Sequence, residues 1–138
     1  MNFGFQQQTL SVLTRDGLDD VLQEPLTYVS KNGRILRAPI GGTTDGLSVP
    51  RIFQNIVPAT GGDWFSGVLH DSAYRDQLEL WNEDTKEWVK AGLCQKDCDD
   101  LLLEALESQD VGWFTRSTIY RALRMFGSKA FNGDRNNK

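Results

Sequence analysis

The stretch QKDCDDLLLEALES, residues 95–108, constrains the fold more than any other part of the chain. Leu102, Leu103 and Leu106 recur at helical spacing and predict an amphipathic helix over these residues. Extended back in the same register, the apolar stripe meets Asp99, whereas Asp97, Asp100, Glu104 and Glu107 fall on the solvent side. A carboxylate on a core-facing stripe is costly unless hydrogen-bond donors meet it. Either another element brings donors to Asp99, or Asp99 sits at the helix start and accepts from the unpaired backbone N–H groups there.

A second helix, predicted from about Trp64 to Asp76, supplies candidate donors. Gly67, His70 and Tyr74 share one of its faces at spacings of three and four. His70 is the sole histidine, so any imidazole chemistry must use it. If the two helices pack antiparallel, His70 and Tyr74 are the natural partners of Asp99. An acid accepting from one ring N–H fixes the tautomer and leaves the other nitrogen free as a base. The plainer alternative is that such a histidine only ties helices together.

Asp71 points about a quarter-turn away and is placed to hold a cation rather than to orient the neighbouring imidazole. Upstream, GGTTDGLSVPR (residues 41–51) reads as a loop that needs unusual backbone angles. Calcium takes hard oxygen ligands, so Asp45, the carbonyls near Gly46 and Leu47, and Asp71 form a candidate set. The competing reading is an ordinary turn in which Asp45 bonds its own backbone.

The remaining chain predicts a small β layer. Leu10, Val12 and Thr14 alternate like a short strand before an Asp16-Gly17 turn. Residues 26–29 and 34–37 read as strands joined by Asn32-Gly33, a strong hairpin signal. Residues 78–90 form a second hairpin with Trp81 and Trp88 near its ends, expected as a β-wing between the two helices. A last helix over 115–126 places Ile119, Ala122, Leu123 and Phe126 inward, with Arg116, Arg121 and Arg124 spread around it. The expected fold is α+β: an N-terminal hairpin or sheet, two long antiparallel helices joined by the wing, and a C-terminal helix. At 138 residues this is one domain, with residues 1–25 as an N-terminal strand or arm, a core over 26–131 and a frayed tail over 127–138.

Charge narrows the function classes. Residues 1–110 carry a net −9 and residues 111–138 a net +5. An acidic body argues against general nucleic-acid binding, which needs a basic face. The basic end suits an anionic lipid surface or an acidic partner, or simply balances the body as a solvated helix. Trp81, Trp88, Trp113 and Phe114 are candidates for an interfacial rim, with core or hairpin packing as the commoner use of such rings. No apolar run approaches the ~20 residues that span a bilayer. The N-terminus lacks signal-peptide features, so a cytoplasmic protein is expected. Cys94 and Cys98, four apart, suit a helical disulfide poorly and predict buried free thiols.

The pieces TTDGLSVPR, HDSAY and CDDLLLEAL, with Tyr120, Ala122, Arg124, Phe126 and Gly127 as a final YxAxRxFG string, resemble a family of small uncharacterised proteins of bacteriophages and prophages, a domain of unknown function. More remotely, they are similar to the bacterial phospholipase A2 group. That second likeness implies His70 as general base, Asp99 orienting it, Tyr74 bonding Asp99, and calcium held by Asp45, Asp71 and the Leu47 carbonyl. The chain departs from that group in having Gly67, rather than a cysteine of a disulfide, beside the histidine. Two function classes follow: calcium-assisted ester hydrolysis of phospholipid, or a non-enzymatic phage tail, virion or assembly protein, located in the bacterial host cytoplasm or in the virion.

Overall fold

The computed structural model describes residues 3–14, 19–44 and 63–136. The architecture is α+β, as expected. Its strands are β1 (Gly4–Phe5), β2 (Val12–Leu13), β3 (Asp20–Leu22), β4 (Leu26–Val29), β5 (Ile35–Ala38), β6 (Thr43–Thr44), β7 (Glu79–Asn82) and β8 (Glu87–Lys90). Its helices are α1 (Asp63–Tyr74), α2 (Gln95–Ser108), α3 (Trp113–Phe126) and α4 (Ser128–Asn136). The strands pair antiparallel in two sheets, ordered β1-β4-β5-β7-β8 and β2-β3-β6.

The β4–β5 hairpin follows from its turn. Gly33 adopts φ 85°, a left-handed conformation that L side chains resist, and its N–H donates to the Ser30 carbonyl at 2.9 Å. That turn sets the register Val29↔Ile35 through Leu26↔Ala38. With period-two alternation, Leu26, Tyr28, Leu36 and Ala38 then all point into the core and are fully buried. Against them lie Phe65, Val68, Leu69 and Ala73 of α1, and Cys98, Leu101 and Ala105 of α2. Each large apolar side chain buried this way contributes about 1.5–3 kcal/mol.

The hairpin over 78–90 forms, but not as a free wing. Its first strand pairs with β5, Leu36 opposite Leu80 and Arg37 opposite Glu79, so it extends the main sheet. The seam explains why. Arg37 Nε bonds Glu79 Oε1 at 2.7 Å, its guanidinium lies 4.1 Å from the Trp88 ring centroid, and Trp88 meets Trp81 edge-on at 5.3 Å. These two tryptophans are committed to the sheet rather than to a rim. The Asp16-Gly17 turn lies outside the described residues.

The helices α1 and α2 run antiparallel, with Tyr74 at the end of α1 bonded to Gln95 at the start of α2. The α3 helix packs Ile119 and Leu123 onto Leu102 and Leu106 of α2. Two expectations for this region fail. Phe126 faces outward, because the seat at the end of the inward stripe is filled by Gly127, which is buried against Tyr74. The tail over 127–138 does not fray at once. Residues 128–136 form α4, anchored by Phe131, which packs edge-on against the Tyr74 ring at 5.3 Å. Both cysteines are free thiols as expected, but only Cys98 is buried; Cys94 is exposed at the start of α2. Among the described residues, no helix is long and apolar enough to cross a membrane.

Candidate functional site

The leucine register of α2 places Asp99 in the helix interior, fully buried, and leaves the N-cap position to Cys94. Asp99 is therefore not a helix cap. Two helices supply its three donors. Tyr74 Oη donates to Asp99 Oδ1 at 2.6 Å, and His70 Nε2 lies 3.1 Å from the same oxygen. Arg124 Nη1 of α3 donates to Asp99 Oδ2 at 2.9 Å. Because an ionised carboxylate only accepts, the proton of the neutral imidazole is assigned to Nε2. His70 Nδ1 then carries the ring lone pair, and it makes no hydrogen bond among the described residues.

Local helix geometry brings these groups together. His70 and Tyr74 are one turn apart on α1, and their rings stack at 4.0 Å between centroids with a 45° tilt. Burial, with the bond to Asp99 second, pushes the Tyr74 hydroxyl well above its usual range, so it acts as a donor and not as a base. Arg124 keeps its charge at any accessible pH, and the hydrogen bond to Asp99 favours that charge further. The arginine also cancels the charge of the buried acid, which a neutral histidine and tyrosine cannot do.

Asp71 faces away from this cluster, as its position on the helix implies. Its Oδ2 accepts from Thr44 Oγ1 at 2.7 Å. Two further bonds hold β6 on α1: Arg75 Nη1 to Thr43 Oγ1 at 3.0 Å, and Thr43 N–H to Gln77 Oε1 at 3.0 Å. The strand β6, which lies within the stretch 41–51 expected as a loop, is thus fixed beside Asp71. Asp45 and Leu47, the other members of the expected calcium set, lie outside the described residues. The part that is described fits a hard cation in chemistry: Asp71 is a partly exposed carboxylate that accepts from a neutral hydroxyl. Among the described residues, no group of three or more His, Cys, Asp or Glu side chains converges as a metal site.

The sequence reading identified His70, Tyr74 and Asp99 as a unit, and the structure brings these three together. It missed Arg124 and Gly127. A signal for Arg124 was present: α3 contains no acidic residue, so an arginine next to its inward Leu123 needs an acid from elsewhere. Gly127 is required by close approach. A Cβ there would lie 2.7 Å from Tyr74 Oη and 2.6 Å from the Leu123 carbonyl oxygen. Glu104, expected to face solvent, instead ties α2 to the sheet by accepting from Tyr28 Oη at 2.8 Å and from the Lys31 N–H at 2.9 Å.

The combination is two antiparallel sheets and four helices with a buried histidine–aspartate pair between α1 and α2. Residues 21–123 match the model of a protein family of unknown function, DUF1353, and the chain belongs to that family. All of the pair's residues except Arg124 and Gly127 fall inside the matched range. No curated protein and no solved structure matches the chain.

Proposed function

We propose that this chain is an ester hydrolase acting on phospholipid, with His70 as its general base. The observation that carries the reading is the fully buried Asp99 bonded to His70 Nε2, with Nδ1 left unpartnered among the described residues. In the hydrolytic step His70 Nδ1 takes a proton from water as the water oxygen bonds the ester carbonyl carbon. Asp99 steadies the imidazolium that forms. The tetrahedral species then expels the alcohol oxygen, which receives the proton from Nδ1, and fatty acid and lysophospholipid are released. Tyr74 and Arg124 hold Asp99 in place throughout. Calcium bound by Asp45, Asp71 and the Leu47 carbonyl would supply a Lewis acid for the ester carbonyl and the phosphate.

The test is fatty-acid release from mixed phospholipid vesicles in the presence of calcium, compared between the native protein and His70→Ala. Release by the native protein alone supports the reading; equal rates from both reject His70 as the base. Calorimetric titration with calcium, repeated on Asp71→Ala, tests the metal set. Heat that survives that substitution removes Asp71 from it.

Arg124 favours a second reading. An acid already neutralised by a guanidinium and bonded by a phenol is a complete cross-helix tie. On that reading the chain is a non-enzymatic phage tail, virion or assembly protein that keeps the cluster as a strut. A position among tail genes and no lipid hydrolysis would support it.

A further inference from the structure

We propose that the outer face of α3 is a docking surface for an anionic lipid bilayer. The choice of lipid rests in part on the hydrolase reading, but the face itself does not. Among the described residues, eight large hydrophobic side chains are exposed, and four of them belong to this one helix: Trp113, Phe114, Met125 and Phe126, each 65–76% exposed. Phe114, Thr118, Arg121 and Met125 follow one another at spacings of four, three and four. This stripe faces away from the buried Ile119 and Leu123, while Trp113 and Phe126 lie off it and are exposed because they stand at the first and last positions of the helix.

Isolated exposed apolar residues are normal on a protein surface, but four of them gathered at the two ends of one helix, beside exposed cations, mark a contact site. Its charge selects the partner. The helix has no acidic residue. Arg116 and Arg124 are engaged inward, on the Val111 carbonyl and on Asp99. Arg121 of the stripe and Lys129 just beyond it are exposed and have no ion-pair partner among the described residues. Thr118 turns its hydroxyl back onto the Phe114 carbonyl at 2.8 Å, so it needs no water. Aromatic side chains between unpaired cations suit the headgroup layer of an anionic membrane. The acidic body over residues 1–110, at net −9, is repelled by such a surface, so only the α3 side can approach it. Because α3 also supplies Arg124 to Asp99, the docked bilayer lies against an element of the His70 site.

The experiment is flotation of the full-length chain with vesicles of phosphatidylcholine alone and of phosphatidylcholine with phosphatidylglycerol. The native protein is expected to float with the anionic vesicles and to release from them in high salt. Trp113→Ser combined with Phe114→Ser, and separately Arg121→Glu, are expected to lower the apparent affinity roughly tenfold or more while far-ultraviolet circular dichroism stays unchanged. Trp113 and Phe114 are largely exposed and belong to neither core cluster, so failure to fold does not mask the result. Equal flotation of native and variant proteins overturns the proposal, as does no flotation of the native protein. A native dimer that the double variant makes monomeric in light scattering, without lipid binding, overturns it in favour of self-association. Hydrolysis is scored separately on short-chain phospholipid dispersed as monomers. Flotation without any hydrolysis supports the docking surface and rejects the hydrolase, whereas hydrolysis without flotation does the reverse.

Discussion

Replacing Asp99 by Ala is the sharpest probe of the buried cluster, because each of its three donors loses something different. Tyr74 is 4% exposed, so its hydroxyl would lose its carboxylate acceptor away from water and keep only its contact with Gln95. An orphaned buried donor of this kind costs about 1–3 kcal/mol. The His70 N–H, also buried, loses a charge-assisted bond worth roughly 1.5–3 kcal/mol in comparable cases. Arg124 is partly exposed and regains water, so it adds little. The expected destabilisation is therefore about 3–5 kcal/mol. For a domain of this size that lowers the melting temperature by roughly 10–15 °C. Urea unfolding followed by circular dichroism measures it directly. Asp100→Ala is the control: that neighbour bonds Lys96 and Tyr120 at the surface, and its loss should cost under about 1 kcal/mol. If Asp99→Ala unfolds within 1 kcal/mol of the native protein, by the same measure, Asp99 is not the buried acceptor described here.

Four further outcomes are expected. Gly127→Ala should destabilise by roughly 1–3 kcal/mol, because its Cβ would press on the Tyr74 hydroxyl and the Leu123 carbonyl. Gly133→Ala in α4, where an added Cβ meets nothing within 4 Å, should leave thermal melting unchanged or raise it. The three tyrosine hydroxyls, Tyr28, Tyr74 and Tyr120, all donate to carboxylates of α2 and all ionise above their ordinary value of 10.0. Burial is the main cause for the first two, and the hydrogen bond to Asp100 for the third. The folded state thus keeps protons that the unfolded state releases. Stability from these groups is complete below pH 10 and declines above it. Absorbance near 295 nm (about the phenolate band) should lag behind free tyrosine and then rise together with unfolding; full titration near pH 10 in a protein still folded would count against the buried hydroxyls. On the acid side, burial alone would raise the Asp100 carboxyl, but hydrogen bonds from Lys96 and Tyr120 outweigh it and hold the group below its usual range. Its contribution persists above the ordinary carboxylate range and disappears as pH falls through the lowered value, so Asp100→Asn should flatten the acid limb of a stability–pH curve.

Which parts were legible in advance follows from how far apart the deciding residues lie. The partners of Asp99 on α1 could be read because a single register carries the argument on each helix: leucines fix which way Asp99 points, and a spacing of four puts His70 and Tyr74 on one face. Asn32-Gly33 announced its hairpin for the same local reason. The pairing of β5 with β7 could not be read, since it joins Leu36 to Leu80 through contacts that neither strand signals alone. Arg124 was hidden in the same way: it looks like one more surface arginine until α3 is laid on α2, 25 residues from its acid. Phe126 misled because periodicity marks a stripe but not where the neighbouring helix ends. The expected oxygen donors Asp45 and Leu47 lie outside the described residues, so of that set only Asp71 is located.

One carboxylate of α2 clasping side chains from α1 and α3 has a consequence for how the chain matures. During synthesis, Asp99 leaves the ribosome before its guanidinium does, and before the glycine and phenylalanine that close over Tyr74. The nascent chain can collapse its sheet early, but it finishes the surroundings of Tyr74 and His70 only once α4 has been translated. A product that ended before α3 would carry every strand of the main sheet and still leave Asp99 without its arginine.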